Sequence, residues 1–365
     1  MIEFWTSGVA LPSSAVRQAR RAEDEGWDGI GFVDSQNLAG DPFIGMALAA
    51  HSTSTIRLAT AVTNPLTRLP AAMATVAATV QAESNGRVVL GIGRGDSALA
   101  HLGLAPAPVA MFERYLARLQ GYLRGDEVEF DVAADGRGEV NSADALGMAG
   151  RPTTSRLKWL RPGHIKVPVD VAATGPKVIA AAARHADRVT FAVGANTERL
   201  RWGIDTARAA ARDAGRDAAS LAFGAYVPVY AHPDRVTARR NISGGVASFA
   251  RFSVMHGSVA GPVSSAERDT LHAVHAAYDM GGHFTHGSPQ SQVLTDEVID
   301  TFGIAGPSAY CAERLAELME LGISKLFVMG GGFGSDAVEA AASRRRLIDE
   351  ILPAVRKNVE PHRPT

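Results

Sequence analysis

A glycine-rich segment carrying one cation and one carboxylate follows a continuous apolar run. It reads Gly91-Ile-Gly-Arg-Gly-Asp96, with three glycines among its first five residues. Glycine allows backbone N–H groups to approach a ligand closely, as they do in phosphate-binding loops. The dinucleotide fingerprint is excluded, because no G-x-G-x-x-G opens a helix with an acidic residue about twenty positions later. The segment therefore predicts an anion-binding turn or, more simply, a glycine turn that closes a strand.

A second candidate anion site lies in Ala172-Ala-Thr-Gly-Pro-Lys177. A strand is predicted to end at Ala173, and Pro176 suits the first turn of a helix, where its missing N–H is not needed. The positive end of that helix would face Thr174 and Gly175. An ordinary strand-to-helix loop is the alternative interpretation. If the two loops follow neighbouring strands, they form one shared anion site.

Polar residues also end the second and third predicted strands. Asp34 follows Gly31-Phe-Val, and the stretch from Ala59 to Arg68 passes from apolar residues into hydroxyls, an amide and a proline. A carboxylate at the carboxyl end of a barrel strand is in the usual position for catalysis or ligand orientation. A helix cap is the alternative role for Asp34.

Histidine pairs suggest a metal site, which the rest of the pattern does not favour. His272-x-x-His275 and His283-x-x-His286, with Asp279 between them, have a spacing that metal ligands can use. The second pair, however, lies in a glycine-rich stretch, and no strand-end acid joins it. We expect no metal, and histidines that are solvated or line a substrate pocket. No G-x-S-x-G elbow is present, so a serine nucleophile is not predicted.

Short β-branched runs alternate with longer alanine-rich amphipathic runs, which predicts repeated βα units. Eight strands in such a pattern favour a (β/α)8 TIM barrel over a doubly wound sheet. The predicted strands are Ile2–Ser7, Asp28–Val33, Ile56–Val62, Arg87–Ile92, Val167–Ala173, Arg188–Val193, Ala222–Tyr230 and Lys325–Met329. The main predicted helices are Ser13–Glu25, Pro42–His51, Pro70–Ser84, Val109–Leu123, Lys177–His185, Thr197–Ala214 and Ala337–Ile351.

Two segments interrupt this alternation. Residues 125–162 are polar and rich in glycine and aspartate, which predicts a loop or small hairpin, and residues 233–306 predict extra helices such as Ser265–Met280. Insertions after barrel strands usually decorate the C-terminal mouth, where substrates bind. The expectation is a single domain over residues 1–365 with these two insertions.

Composition and charge exclude several classes of function. The 37 Lys and Arg against 38 Asp and Glu give a net charge of −1, which argues against nucleic-acid binding. The single cysteine, Cys311, excludes a disulfide framework. The N-terminus lacks a basic region, and no apolar run is long enough for a membrane span. A soluble cytoplasmic protein with a small-molecule substrate is expected.

Three stretches, taken together and in this order, resemble the bacterial-luciferase-like superfamily, and within it the deazaflavin-dependent branch that uses coenzyme F420. They are Thr60-Ala-Val-Thr-Asn-Pro-Leu-Thr-Arg-Leu-Pro70, Asn85-Gly-Arg-Val-Val-Leu-Gly-Ile-Gly-Arg-Gly-Asp96 and Ala172-Ala-Thr-Gly-Pro-Lys177. They are similar to methylenetetrahydromethanopterin reductases, and Asp34 matches a strand-end aspartate of that branch. Thr301–Gly306 and Gly322–Met329 resemble its last strand region, so the resemblance covers nearly the whole chain.

The resemblance implies a (β/α)8 barrel with a flavin-type ring in its mouth. Ala61-Val62 falls where the family has a non-prolyl cis peptide beneath the ring. Asp34, Thr63 and Asn64 would face the ring and the ribityl chain. The contacts implied for the rest of the cofactor are at two strand ends: Arg94, Gly95, Asp96, Ala173, Thr174, Gly175 and Pro176.

The activity implied is that of a coenzyme F420-dependent oxidoreductase, which transfers a hydride to or from a small organic substrate. Asp96 is the first candidate for proton transfer, and Asp34 is the second. The substrates of known members do not carry over. Ser35 stands where sugar-phosphate dehydrogenases of the branch have a histidine, and Phe4-Trp-Thr-Ser7 lacks the acid of the methanopterin reductases.

Two alternatives to this function stay open, and one expectation concerns assembly. The same fold serves monooxygenases that depend on flavin mononucleotide (FMN), and a non-catalytic flavin-binding barrel is an alternative of another class.

The family commonly pairs barrels through helices two and three. Small residues in Ala47-Leu-Ala-Ala-His51 and Ala71–Ala78 fit such a homodimer, although ordinary packing on the barrel wall explains them as well.

Overall fold

Parallel strands close into a barrel in the computed structural model, which describes residues 2–130 and 143–359. Within these ranges the eight barrel strands are β1 (Glu3–Gly8), β2 (Gly29–Phe32), β3 (Arg57–Thr60), β4 (Val88–Ile92), β7 (Val169–Ala173), β8 (Arg188–Phe191), β9 (Ala222–Ala231) and β11 (Lys325–Met329). They pair in this order, and β11 pairs with β1 to close the barrel. The predicted (β/α)8 barrel is therefore confirmed.

Helices surround the barrel and bury small residues against it. In α1 the face that packs on the strands is formed by Ala15, Ala19 and Ala22, which are buried. Helix α2 begins with Pro42, and the Asp41 carboxylate caps it by accepting hydrogen bonds from two backbone N–H groups. The helices are α1 (Ser14–Asp24), α2 (Pro42–Ser52), α3 (Pro70–Glu83), α4 (Ser97–Ala100), α5 (Val109–Arg124), α6 (Pro176–His185), α7 (Thr197–Asp213), α8 (Arg235–Phe252), α9 (Ser265–Ala276), α10 (Pro289–Gln292), α11 (Asp296–Phe302), α12 (Ser308–Glu320), α13 (Ala337–Arg346) and α14 (Leu352–Val359). No helix in residues 2–130 and 143–359 has both the length and the hydrophobicity that crossing a membrane requires.

The first insertion contains a short antiparallel hairpin of β5 (Val128–Glu129) and β6 (Thr154–Ser155). A 3₁₀ turn over Ala143–Leu146 precedes β6. Residues 131–142 of the predicted insertion lie outside the described residues. For the described part, the expected loop or small hairpin is confirmed.

The second insertion supplies α8 to α11 and a short strand, β10 (Ile304–Gly306). Strand β10 pairs in parallel with the end of β9, beyond the closed barrel. Helix α9 begins with a capping box of Ser264 and Glu267 and ends at Ala276, four residues before the predicted Met280. Helix α8 passes close to the loop after β11, since a Cβ built on Gly245 would lie 3.4 Å from the Gly330 carbonyl oxygen. The C-terminal half of α8 thereby reaches the barrel mouth.

The last predicted helix is also divided. Helix α13 ends at Arg346, a π-helical turn covers Leu347–Ile351, and α14 continues the chain. The sequence periodicity therefore predicted a helix here correctly, but it did not predict the π-helical turn that divides it.

A buried ion pair lies inside the barrel near the start of its strands. Lys325 Nζ lies 2.8 Å from Asp170 Oδ2, and both side chains are at most 3% exposed. Thr190 Oγ1 donates a hydrogen bond of 2.6 Å to the other oxygen of Asp170. The Lys325 ammonium also lies 4.0 Å from the centroid of the Trp5 ring. The charges of Lys325 and Asp170 are therefore balanced by protein groups inside the barrel.

Candidate functional site

Asp34 follows β2 and is held by three protein donors. Its Oδ2 accepts hydrogen bonds from Thr63 Oγ1 at 2.6 Å and Arg68 Nη1 at 2.9 Å, and its Oδ1 accepts one from Gln36 Nε2 at 2.6 Å. Arg68 also pairs with Asp41 at 2.5 Å. Because Asp34 is only 3% exposed, its carboxylate is fixed in position and receives hydrogen bonds rather than donating them.

The segment after β3 carries the cis peptide that the resemblance implied. The bond between Ala61 and Val62 is cis, and Thr63 and Asn64, which follow it, are buried. The Asn64 side-chain oxygen accepts from the backbone N–H groups of Leu66 and Thr67, which fixes the amide orientation. The amide nitrogen, Nδ2, has no hydrogen-bond partner among the described residues. A buried donor of this kind fits a ligand that supplies an acceptor.

The two glycine-containing loops leave adjacent strands, as the shared anion site requires. Strands β4 and β7 pair directly, so both loops emerge at one edge of the mouth. Gly95 has a φ of +86°, in the left-handed region that glycine adopts readily. A Cβ on Gly175 would meet no atom within 4 Å, so the space beside this loop is open to a ligand. The geometry fits a phosphate-bearing cofactor.

Asp96 forms an ion pair with Arg251 of α8, a contact that sequence reasoning missed. Arg94 Nη2 lies 3.5 Å from His256 Nε2, and burial lowers the pKa of its guanidinium while Asp96 opposes that effect. The loop after β4 is therefore tied to the second insertion.

An aromatic wall, defined as Tyr226, Phe249, Phe252 and Phe284, faces the mouth. The Phe249 ring lies 6.2 Å from Tyr226 and 5.8 Å from both Phe252 and Phe284, between ring centroids. These rings belong to one hydrophobic cluster with Ala61 and Val62. The cis peptide and the aromatic wall therefore belong to one apolar layer at the barrel mouth.

Tyr278 and His283 lie beside the aromatic wall. The Tyr278 hydroxyl is hydrogen-bonded to His283 Nδ1, and the Arg251 guanidinium carbon lies 4.5 Å from the Tyr278 ring centroid. Burial raises the pKa of Tyr278 to about 12 and lowers the pKa of His283 to about 4. Both groups are thus neutral near pH 7.

The histidines do not assemble into a metal site. Among the described residues no group of three or more His, Cys, Asp or Glu side chains is placed to hold a metal ion. His272 and His275 are exposed on α9, whereas His283 turns toward Tyr278. The two histidine pairs therefore differ in their surroundings.

The lowered pKa of His283 predicts a loss of stability in mild acid. Between pH 6.5 and about 4 the unfolded chain binds a proton that the folded chain does not, so the free energy of unfolding falls as pH falls. From pH 7 to pH 5 we expect it to fall by about 1–2 kcal/mol more than in a His283→Gln variant. Urea unfolding of both proteins at each pH measures the difference. The pKa of His185 is also lowered by burial, but this effect is common to both proteins and cancels. Equal losses would contradict the prediction.

The family model described as luciferase-like monooxygenase matches residues 5–325. The chain belongs to this family. Among its relatives, the 5,10-methylenetetrahydromethanopterin reductase of Methanolobus tindarius is 26% identical over 344 residues, which cover 93% of this chain and 96% of the relative.

Solved structures share the luciferase-like fold. The coenzyme F420-dependent tetrahydromethanopterin reductase of Methanopyrus kandleri superposes with a TM-score of 0.68 at 20% identity and covers 96% of this chain and 99% of its own. An F420-dependent secondary alcohol dehydrogenase, in complex with an F420–acetone adduct, also has a TM-score of 0.68, at 17% identity, covering 97% of this chain and 99% of its own.

Proposed function

We propose that this member of the luciferase-like family is a coenzyme F420-dependent oxidoreductase that transfers a hydride between the deazaflavin and a small organic substrate. The observation that carries the proposal is the unfilled space beside Gly175 at the adjacent ends of β4 and β7, together with the unpartnered Asn64 amide in the segment after β3. The names of its relatives, which are F420-dependent enzymes, support the choice of cofactor.

In this proposal the chain holds the cofactor at two places. Arg94, Gly95 and Asp96, with the loop Ala173–Pro176, would bind its phosphate and tail. Asn64 Nδ2 would donate to the ring or ribityl chain, while Asp34 orients Thr63 beside it. When bound, the deazaflavin supplies or accepts the hydride. The aromatic wall would exclude water from the substrate, so that the reacting carbon is held close to the ring.

An F420-dependent oxidoreductase, an FMN-dependent monooxygenase and a non-catalytic barrel differ in the cofactor that they bind and in whether turnover requires oxygen. We expect the purified protein to bind F420 more tightly than FMN in parallel fluorescence titrations. We also expect turnover with reduced F420 in the absence of oxygen. Tighter binding of FMN with oxygen-dependent turnover would indicate a monooxygenase, and binding with no turnover in either condition would indicate a storage barrel.

We also propose a homodimer formed through α2 and α3. Ile44 and Leu48 lie one turn apart on α2 and are 65% and 55% exposed, an unusual exposure for two neighbouring large apolar side chains. We expect sedimentation velocity to give a dimer at micromolar concentration and a monomer for the Ile44→Glu/Leu48→Glu variant. Val338→Glu is the control, because Val338 is equally apolar and 73% exposed on α13. A monomeric wild type would contradict the proposal.

The proposal treats residues 1–365 as one domain in the cytoplasm. The second insertion supports the first part, because α8 packs on β9 and reaches Asp96 across the mouth. The buried, free thiol of Cys311 supports the second part, since it fits a reducing compartment.

A further inference from the structure

We propose that His283, assisted by Tyr278, transfers the proton that accompanies hydride transfer, and that the substrate is an uncharged carbonyl compound or the corresponding alcohol. This inference rests on the proposed function, and it gives His283 the proton-transfer role that the sequence analysis assigned to Asp96 and Asp34.

Neither carboxylate is placed to carry a transferable proton. Both oxygens of Asp34 already accept hydrogen bonds from protein donors, one of them the Arg68 guanidinium. Asp96 is engaged by the Arg251 guanidinium of α8. These groups are suited to hold the cofactor and α8 in place.

His283 packs against the aromatic wall. Its ring centroid is 4.9 Å from that of Phe284 and 6.2 Å from that of Phe252, both in the aromatic wall. The segment that carries it is anchored at several points: Phe284 N donates to Ser248 Oγ at 3.1 Å, and Phe333 N donates to the Phe284 carbonyl at 2.8 Å. The imidazole is thus positioned on a braced loop.

The hydrogen bond to Tyr278 determines which imidazole nitrogen faces the substrate as a donor. The proposal takes the Tyr278 hydroxyl as the donor of this pair, so that Nδ1 accepts and the proton of the neutral ring resides on Nε2. His283 Nε2 makes no hydrogen bond with any other described residue. It is therefore the nitrogen available to a substrate oxygen.

The proton step balances with the hydride step. In the reducing direction the hydride forms the new C–H bond, and the π pair of the C=O bond moves to oxygen. That oxygen takes the proton from His283 Nε2 while Nδ1 takes the proton of the Tyr278 hydroxyl. The resulting phenolate faces the Arg251 guanidinium, 4.5 Å from the ring centroid, until solvent returns a proton. The reverse sequence oxidises an alcohol.

The surroundings of His283 favour an uncharged substrate. They consist of the aromatic wall and the neutral Tyr278, and the nearby Arg251 is already paired with Asp96. A flat, apolar ketone can pack on the aromatic wall while its oxygen reaches His283. We therefore use acetophenone as the probe.

The experiment measures acetophenone reduction by the full-length protein with reduced F420 under anaerobic conditions. We expect His283→Gln to lower kcat about 100-fold while the Kd for F420 changes by less than about twofold. His286→Gln, three residues later in the same segment, is the matched control and should keep its kcat. Asp96→Asn should weaken F420 binding and retain turnover at saturation.

A proton inventory in mixtures of H2O and D2O tests the role of Tyr278. Two protons move in the wild type, so the plot of rate against deuterium fraction should be curved. In Tyr278→Phe one proton moves, and the plot should be linear with a reduced kcat. Loss of turnover in Asp96→Asn with full activity in His283→Gln would overturn the proposal. F420 binding without acetophenone reduction by the wild type would overturn the carbonyl assignment, whereas failure to bind F420 at all would contradict the proposed function instead.

Discussion

Replacing Lys325 with methionine is expected to lower the free energy of unfolding by about 3–5 kcal/mol. The substitution keeps the apolar stem but removes the charge that faces Asp170, whose side chain is 2% exposed. An unpaired carboxylate would then remain in the barrel interior, where water cannot solvate it. Chemical denaturation at neutral pH measures the loss.

Two further variants separate burial from ion pairing. Lys166 and Asp187 form a pair of similar length, 2.7 Å, but are 28% and 42% exposed, so Lys166→Met should cost less than about 1 kcal/mol. The double variant Lys325→Met/Asp170→Asn should recover most of the loss, because no uncompensated charge is left and the Asn oxygen still accepts from Thr190. A loss below 1 kcal/mol for Lys325→Met alone would show that water reaches this layer.

Substituting Gly175 with valine is expected to weaken F420 binding at least tenfold without destabilising the protein. Gly175 has φ −94° and ψ 157°, which valine adopts readily, and its Cβ would contact no protein atom within 4 Å. The free energy of unfolding should stay the same or rise slightly. The added side chain would occupy the space assigned to the cofactor, which a fluorescence titration detects.

Gly150→Val is the control for this variant, because Gly150 is also free of neighbours within 4 Å and lies in the first insertion. Gly95 is a poorer site for such a test. A Cβ there would lie 2.3 Å from Leu99 Cδ1, and its φ of +86° is strained for other residues, so a substitution would disturb the loop itself. Unchanged affinity in Gly175→Val would move the phosphate site away from this loop.

The barrel was predictable because each strand is a compact apolar run next to a turn. Strand β4 consists of Val88–Ile92, one residue shorter than predicted, and β9 ends at Ala231, one residue beyond the prediction. Strand pairing then follows from right-handed βα connections, which place β4 beside β7 and bring the two glycine loops together. The cofactor side of the candidate site therefore follows from local sequence.

The substrate side did not follow from the sequence for a physical reason. Arg251, Tyr278 and His283 belong to an insertion whose helices do not obey the βα repeat, so their positions depend on tertiary packing. Arg251 meets Asp96 over a separation of 155 residues, and no local pattern marks such a contact. Arg68 is different, because it ends the polar stretch that follows β3 and its partner Asp34 was already a candidate.

The path of α8 has a consequence for how this barrel diversifies. The cofactor contacts assigned above come from residues before position 177, whereas Phe249, His283 and Phe284 all come from the insertion at residues 233–306. In evolutionary terms, this insertion is a continuous segment that recombination can exchange without changing the residues assigned to the cofactor, while the proposed proton-transfer pair is exchanged with it. A donor segment must reproduce the contacts to the barrel, among them the Asp96–Arg251 pair and the pairing of β10 with β9. New substrate ranges can therefore arise by replacement of one gene segment rather than by scattered point mutations.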